Sequence, residues 1–218
     1  PTLLNKGVKT QSRGSFSVEE YLTIYTALRG YHKQTTNEKS AATRETLRNY
    51  VLFLANTGVR HGTEALGLCW RNIEWYLRDG KRYLAVSVDG KTNKRTAIAR
   101  DSVENSLWRQ AKLNPRIRAV DFDGLIAAKL NEPVFTTRLS ETVTVHNLNR
   151  AFNALLAELN LKTGADGRTR TLYSFRHTYA TFALLNDGMD IHTLAIQMGT
   201  SIAMIERHYS HLTPRLRK

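Results

Sequence analysis

The sequence predicts an α+β chain that is mainly α-helical and carries a small three-stranded antiparallel sheet. Apolar residues recur at helical spacing before residue 70 and after residue 100, with capping residues at the segment ends. Between those stretches, over 73–99, the period changes to two, and Asp79-Gly80 supplies a hairpin turn.

The elements follow in order. Residues 1–15 are polar and basic, with Lys6, Lys9 and Arg13, and read as a linker or as an arm that touches phosphate. Ser17-Val18-Glu19-Glu20 is a capping-box pattern that opens a helix to about Leu28, stopped by Gly30. Residues 31–39 read as polar loop. A second helix over about 40–56 places Leu47, Val51, Leu54 and Ala55 at helical spacing and ends at Gly58. A short helix over 63–68 follows. Ile73, Trp75 and Leu77 then alternate with polar residues as a first strand, 83–88 is a second, 89–93 a turn, and 95–99 a third, with Lys91 near the tip of that turn. Asp101 is placed to cap a helix reaching Lys112. A short helix near 124–130 interrupts a mixed stretch, 145–159 is a good amphipathic helix, and 164–170 is a polar basic loop. Three helices close the chain over 172–186, 191–198 and 201–212, punctuated by Gly188 and Gly199. No repeat and no clear boundary divides the sequence.

With 218 residues, 41% of them hydrophobic, the chain is long enough to bury a real core. Lys and Arg number 32 against 19 Asp and Glu, a net charge of +13, which favours a polyanionic partner. A membrane is a poor candidate for it. No apolar run approaches the ~20 residues that span a bilayer, and the start has no signal-peptide core. Cys69 is the only cysteine, so no internal disulfide and no cysteine-based zinc site is expected, and a reducing cytoplasm fits. HExxH, P-loop and paired-carboxylate patterns are missing, so neither metal nor other cofactor is implied.

Four positions carry chemistry. Arg60 stands in Thr57-Gly58-Val59-Arg60, Arg176 in Tyr173-Ser174-Phe175-Arg176-His177-Thr178, Lys91 after Gly90 in a turn, and Tyr209 nine residues from the end. Two arginines to hold the non-bridging oxygens of a phosphate, a lysine to protonate the leaving oxygen and a tyrosine to attack phosphorus are the parts of a metal-free phosphoryl transfer. On a helical wheel Phe175, Tyr179 and Phe182 form a core face, and Tyr173, Arg176, Ala180 and Ala183 form the strip beside it. Each position has a plain structural alternative. Arg176 could lie on the surface, Arg60 could pair with Glu64, and Tyr209 could simply pack. Lys94 and Arg95, beside the turn, read as contacts to a nucleic-acid backbone.

Taken together, these segments resemble the tyrosine recombinase, or phage integrase, family. Thr57-Gly58-Val59-Arg60 with Glu64, Leu66, Leu68 and Trp70 is similar to the family's first arginine motif. Gly90-Lys91 is similar to its lysine hairpin, and 173–181 to its second arginine motif. Met198-Gly199-Thr200-Ser201 with Tyr209-Ser210-His211-Leu212 is similar to its final motif. Order and spacing agree over about 15–213.

The resemblance implies the DNA breaking-rejoining fold over residues 16–218, preceded in the family by an N-terminal core-binding domain that this chain does not include. It implies a site-specific recombinase or integrase acting for a bacterial mobile element or prophage. Arg60 and Arg176 would clamp the scissile phosphate and Lys91 would act as general acid toward the 5′ oxygen. Tyr209 would form a 3′-phosphotyrosyl bond. Tyr173 and Thr200 would occupy two further site positions, and His177 is assigned to DNA contact. Partners would be double-stranded attachment sites, further copies of the chain in a tetramer on DNA, and possible accessory DNA-bending proteins, in the bacterial cytoplasm at the nucleoid. Two positions depart from the commonest pattern, with Tyr173 in place of His and Thr200 in place of His or Trp. A phenol donates a hydrogen bond but is a poor general base at neutral pH, and His177, His208 and His211 are the nearby candidates for compensation. The competing readings are a type IB topoisomerase or dimer resolvase, and a non-catalytic DNA-binding module that keeps the fold.

Overall fold

The structure is a computed structural model that describes residues 14–90 and 94–209. Its centre is helix α2 (Glu38–Thr57), which packs on α1 (Val18–Leu28), α4 (Ser102–Ala111), α6 (Val145–Glu158) and α7 (Ser174–Leu185). A helix that is apolar on all sides must be surrounded. Tyr50, Val51, Leu52 and Phe53, which together circle the axis, are all buried. The Asn37 side chain accepts from the Ser40 N–H, so the helix starts at Glu38, earlier than the apolar spacing suggests. At the other end Gly58 has φ +68° and its N–H returns to the Leu54 carbonyl. A Cβ at this position would come within 2.5 Å of the Tyr179 ring. Left-handed torsion and close approach therefore both require glycine here.

Residues 31–39 are not the open polar loop expected from composition. Tyr31–Gln34 form a 3₁₀ turn, with Tyr31 fully buried and its hydroxyl donating to the Ala151 carbonyl at 3.1 Å. The Arg44 guanidinium lies 3.9 Å from the ring centroid. One aromatic anchor outweighs the polar residues around it.

The sheet has the order β1 (Ile73–Arg78), β2 (Lys81–Asp89), β3 (Lys94–Ile98), all antiparallel. Ile73 pairs with Val86 and Val86 with Ala97, which puts three buried residues in one row across the sheet. The alternation at Ile73, Trp75 and Leu77 only partly marks a core face, because Leu77 is 73% exposed. The β1–β2 ribbon runs past the core there. The turn residues 91–93, Lys91 included, lie outside the described residues.

Among the remaining elements, α3 (Thr63–Leu66) follows the Gly58 corner, and α5 (Phe122–Ala127) is capped by Asp121, two residues earlier than expected. Asp101 holds the capping position of α4, but its backbone is already helical and its side chain makes no capping bond. The 164–170 loop is partly interior. Arg170 is buried, pairs with Glu20 at 2.7 Å and lies over the Phe16 ring. Helices α7, α8 (Ile191–Met198) and α9 (Ile202–Tyr209) share a second apolar cluster built on Tyr179, Leu184, Leu194 and Ile205.

Two glycines separate torsional strain from steric conflict. Gly80 has φ +73° with open space where a Cβ would go, whereas Gly58 has both the positive φ and the Tyr179 ring. Denaturant titration should show Gly80→Ala costing about 1 kcal/mol and Gly58→Ala a further ~1–3 kcal/mol of overpacking. Equal costs would mean that the Tyr179 contact does not constrain this corner.

Candidate active site

Arg176 sits in the first turn of α7 and is 4% exposed. A buried guanidinium persists only if its donors are satisfied. Here Nη1 donates to the Gly58 carbonyl and Nη2 to the Met198 carbonyl, each at 2.5 Å. The small side chains of Ala180 and Ala183, both buried, leave room on that strip. The surface position open to Arg176 on sequence grounds is thereby corrected. The group faces inward, between the ends of α2 and α8. Burial, followed by the charge of Arg60, lowers its pKa to about 10, so it stays cationic at neutral pH.

Arg60 follows the Gly58 corner directly. Its Nη1 pairs with Glu64 Oε1, its backbone N–H donates to Oε2 at 3.0 Å, and Nη2 donates to the Gly199 carbonyl at 2.7 Å. The pairing with Glu64 and the placement toward an anion site are thus one arrangement. Glu64 also receives Arg95 in a two-pronged contact, Nη1 to Oε1 at 3.1 Å and Nη2 to Oε2 at 2.8 Å. Burial alone would raise the Glu64 pKa, but the hydrogen bonds from Arg95 and Arg60 bring it down to about 2. Arg95 departs from its expected place on a DNA backbone. Its side chain is 8% exposed because the fork fits the carboxylate. Gly199, φ +60°, makes room for it, since a Cβ there would lie 2.6 Å from Arg95 Cδ. Lys94 is exposed and lines a shallow groove with Arg71 and Thr96.

Tyr209 ends the described part of α9 and is 7% exposed. Its hydroxyl lies 2.7 Å from His177 Nδ1. Burial pushes the phenol pKa up, and the Arg176 charge pulls the other way. Arg60, Tyr173, Arg176, Thr200 and Tyr209 all line one cavity of about 140 Å³, with His177 and His208 beside them. Five of the six site positions singled out in the sequence therefore meet, and the sixth, Lys91, lies outside the described residues. His177, assigned from sequence to DNA contact, has its ring in this cavity, 5.6 Å from the Tyr173 ring.

One organising residue escaped sequence reading. Gln197 is buried, accepts from the Ile98 N–H at 2.9 Å and donates to the carbonyls of Thr57 at 3.2 Å and Ile98 at 2.8 Å. It joins α8 to the end of β3 and to the end of α2. The available signal was an amide in an otherwise apolar stretch of α8, where an unpaired polar group would be costly.

The Glu64 pKa falls on folding, from an ordinary 4.5 to about 2. The stability it confers is therefore complete above about pH 4.5 and is lost as pH falls toward 2, and amounts to about 3 kcal/mol at neutral pH. Glu64→Gln should destabilise the fold by about that much at pH 7. The gap to wild type should shrink by about 2 kcal/mol at pH 3, as read from urea titrations at both pH values. A gap independent of pH would refute this role for the carboxylate.

Residues 17–215 match the sequence profile of the Phage integrase family. Over 112 residues the chain is 31% identical to tyrosine recombinase XerC of Chlamydia muridarum (strain MoPn / Nigg), which covers 51% of this chain and 31% of that protein. The fold is similar to that of the XerH site-specific recombinase bound to palindromic difH substrate in a post-cleavage complex. That match has a TM-score of 0.64 at 18% identity, over 99% of this chain and 56% of XerH. The Tn1549 transposon integrase in complex with transposon right end DNA matches with a TM-score of 0.60 at 19% identity, over 96% of this chain and 65% of the integrase. The lambda integrase catalytic core matches at 0.54 and 17% identity, over 86% of this chain and 91% of the core. This chain thus spans about a third of XerC and just over half of XerH. A family profile that covers nearly every residue from the first helix onward, on a fold shared with recombinase catalytic domains, establishes that the chain belongs to the phage integrase, or tyrosine recombinase, family.

Proposed function

We infer that this chain cleaves and rejoins DNA as the catalytic unit of a site-specific recombinase, of the kind that integrates or excises a mobile element. One observation carries the reading. Arg60, Arg176 and Tyr209 come from three separate parts of the chain and meet around one cavity. The two guanidiniums are held in place before any substrate arrives, by Glu64 and by the carbonyls of Gly58, Met198 and Gly199. Preorganised cations lose little on meeting the transition state, because they need not reorient as charge develops on the phosphate oxygens.

In this reading Arg60 and Arg176 hold the non-bridging oxygens, and the Tyr209 oxygen attacks phosphorus. A 3′-phosphotyrosyl ester forms as the bond to the 5′ oxygen breaks, and Lys91 supplies the proton that the 5′ oxygen needs. The ester keeps the energy of the broken bond, so a second DNA end can reverse the step without a nucleotide cofactor. Tyr173 and Thr200 line the same cavity and supply hydroxyl donors to the phosphate. Residues 16–218 make up the catalytic unit, and 1–15 serve as a linker or arm. The net charge of +13 supports binding to duplex DNA, with affinity that falls steeply with salt. Lys94 fits a backbone contact at the exposed edge of β3. Assembly as a tetramer on paired sites, accessory DNA-bending proteins and action at the nucleoid in the cytoplasm belong to the same proposal. Among the described residues no helix is long and apolar enough to cross a membrane.

The test is covalent trapping on a nicked duplex that carries the element's own end sequence. Wild type should give a DNA-linked band on a denaturing gel, and Tyr209→Phe should give none. A band of equal strength from both proteins, or from neither while binding is intact, would overturn the reading. Lys91→Ala should slow cleavage by about 10²-fold or more. A substrate with a 5′-phosphorothiolate leaving group, which needs no proton, should restore the rate. A failure to restore it would remove Lys91 as the acid.

A further inference from the structure

Resting on that reading, the cavity poses a question about the nucleophile's proton. A phenol titrates near 10 in water, and burial of Tyr209 moves it further from neutrality. A nucleophile in that state requires a base within hydrogen-bond reach. Among the described residues no carboxylate lines the cavity. Glu64, the carboxylate that holds Arg60, accepts from both Arg60 and Arg95. Position 173 holds a phenol, itself a poor base at neutral pH. Among the described residues that line the cavity, only His177 and His208 are of a type that titrates near neutrality. Of these two, it is His177 whose nitrogen lies at 2.7 Å from the Tyr209 hydroxyl.

We propose that His177 is the general base of strand cleavage, taking the Tyr209 proton on Nδ1 as the phenolic oxygen attacks phosphorus. The position follows from the fold. His177 is the residue after Arg176 on α7, so one helical turn carries both a phosphate clamp and the base, while α9 brings the phenol across to meet them. The neutral imidazole must carry its proton on Nε2 for Nδ1 to accept. In the forward step the Tyr209 O–H proton passes to Nδ1, the Oη–P bond forms, the bond from phosphorus to the 5′ oxygen breaks, and Lys91 gives that oxygen its proton. In rejoining, the 5′ hydroxyl attacks, returns its proton to Lys91, and the imidazolium returns a proton to the departing phenolate. The substitution of Tyr for His at position 173 is thus offset within the same helix.

The cleavage rate should fall at low pH as His177 becomes protonated. The groups that face it are Tyr173 and Arg176 on its own element, Arg60 beyond the end of α2, and His208 and Tyr209 on α9. His208 is the other imidazole among these groups, so it is the group to separate from His177. Single-turnover cleavage of the nicked end-sequence duplex should be measured from pH 5 to 9 for wild type, His177→Asn, His177→Gln and His208→Asn, alongside DNA affinity and thermal midpoint.

Asn keeps a hydrogen-bonding group near the place of Nδ1 but takes no proton. His177→Asn and His177→Gln should each cleave about 10²–10⁴-fold more slowly and lose the acid limb, while binding DNA and melting as wild type does. His208→Asn should keep the limb. A uniform slowing with the acid limb intact would make His177 a positioning residue and overturn the proposal, as would a near wild-type rate. The wild-type protein gives a check free of any variant. ¹⁵N spectra of its histidines should show His177 neutral with the proton on Nε2, and a proton on Nδ1 overturns the assignment. If Tyr209→Phe also forms the covalent product, the recombinase reading itself falls. If only the histidine variants behave as wild type, the base alone is wrong.

Discussion

The burial of one cation, Arg176, shapes the rest of the site. A guanidinium at 4% exposure has lost its water and must find acceptors in the protein. It finds them at two chain ends that sequence places far apart, the Gly58 carbonyl beyond α2 and the Met198 carbonyl at the end of α8. Those two contacts fix how α7 sits between α2 and α8. Gly58 and Gly199 then follow as steric necessities, one under the Tyr179 ring and one over Arg95. Gln197, one residue before Met198, completes the join by bonding to the Thr57 and Ile98 main chain.

Around that cation the charges are arranged in alternation. Glu64 lies between Arg60 and Arg95, and its carboxylate is strongly stabilised by them. Without it, Arg60, Arg95 and Arg176 would face one another with little water to screen them. Two of these arginines, Arg60 and Arg176, reach the cavity, and the third supports it from the sheet side. The carboxylate holds the site together before substrate arrives, and an incoming phosphate would add the second anion that the cluster can accommodate.

The Tyr209 phenol joins this frame through a different kind of contact. Tyr209 packs with the apolar residues of α7, α8 and α9, and its hydroxyl meets His177. Apolar packing sets the distance, and the imidazole gives the hydroxyl a polar partner that it would otherwise lack once buried. In this protein the same burial that makes the phenol hard to ionise also holds it against an imidazole.

Much of this was legible in the linear sequence. Helical periods, the Ser17 capping box, the Asp79-Gly80 turn and Gly58 as a helix end depend on residues close together in the chain, and local physics governs them. Three of the four motifs named groups that line the cavity, because the chemistry of phosphoryl transfer restricts which residue types can serve. What the chain alone left open is which way a side chain faces when its partner is distant in sequence. Arg95 read as a DNA contact, yet a carboxylate 31 residues away turns it inward. Tyr31 read as part of a polar loop, yet it anchors on α6 through a carbonyl 120 residues away. His177 read as a DNA contact and as one of three candidates, with His208 and His211, to compensate for Tyr173, and it meets a hydroxyl 32 residues away. The sequence by itself determined the helices, the sheet, the family and the chemical parts. Only the tertiary structure decided which cations face inward, which carboxylate holds them and which imidazole touches the Tyr209 hydroxyl. Desolvation and pairing depend on what surrounds a group in space, and a linear pattern does not record that.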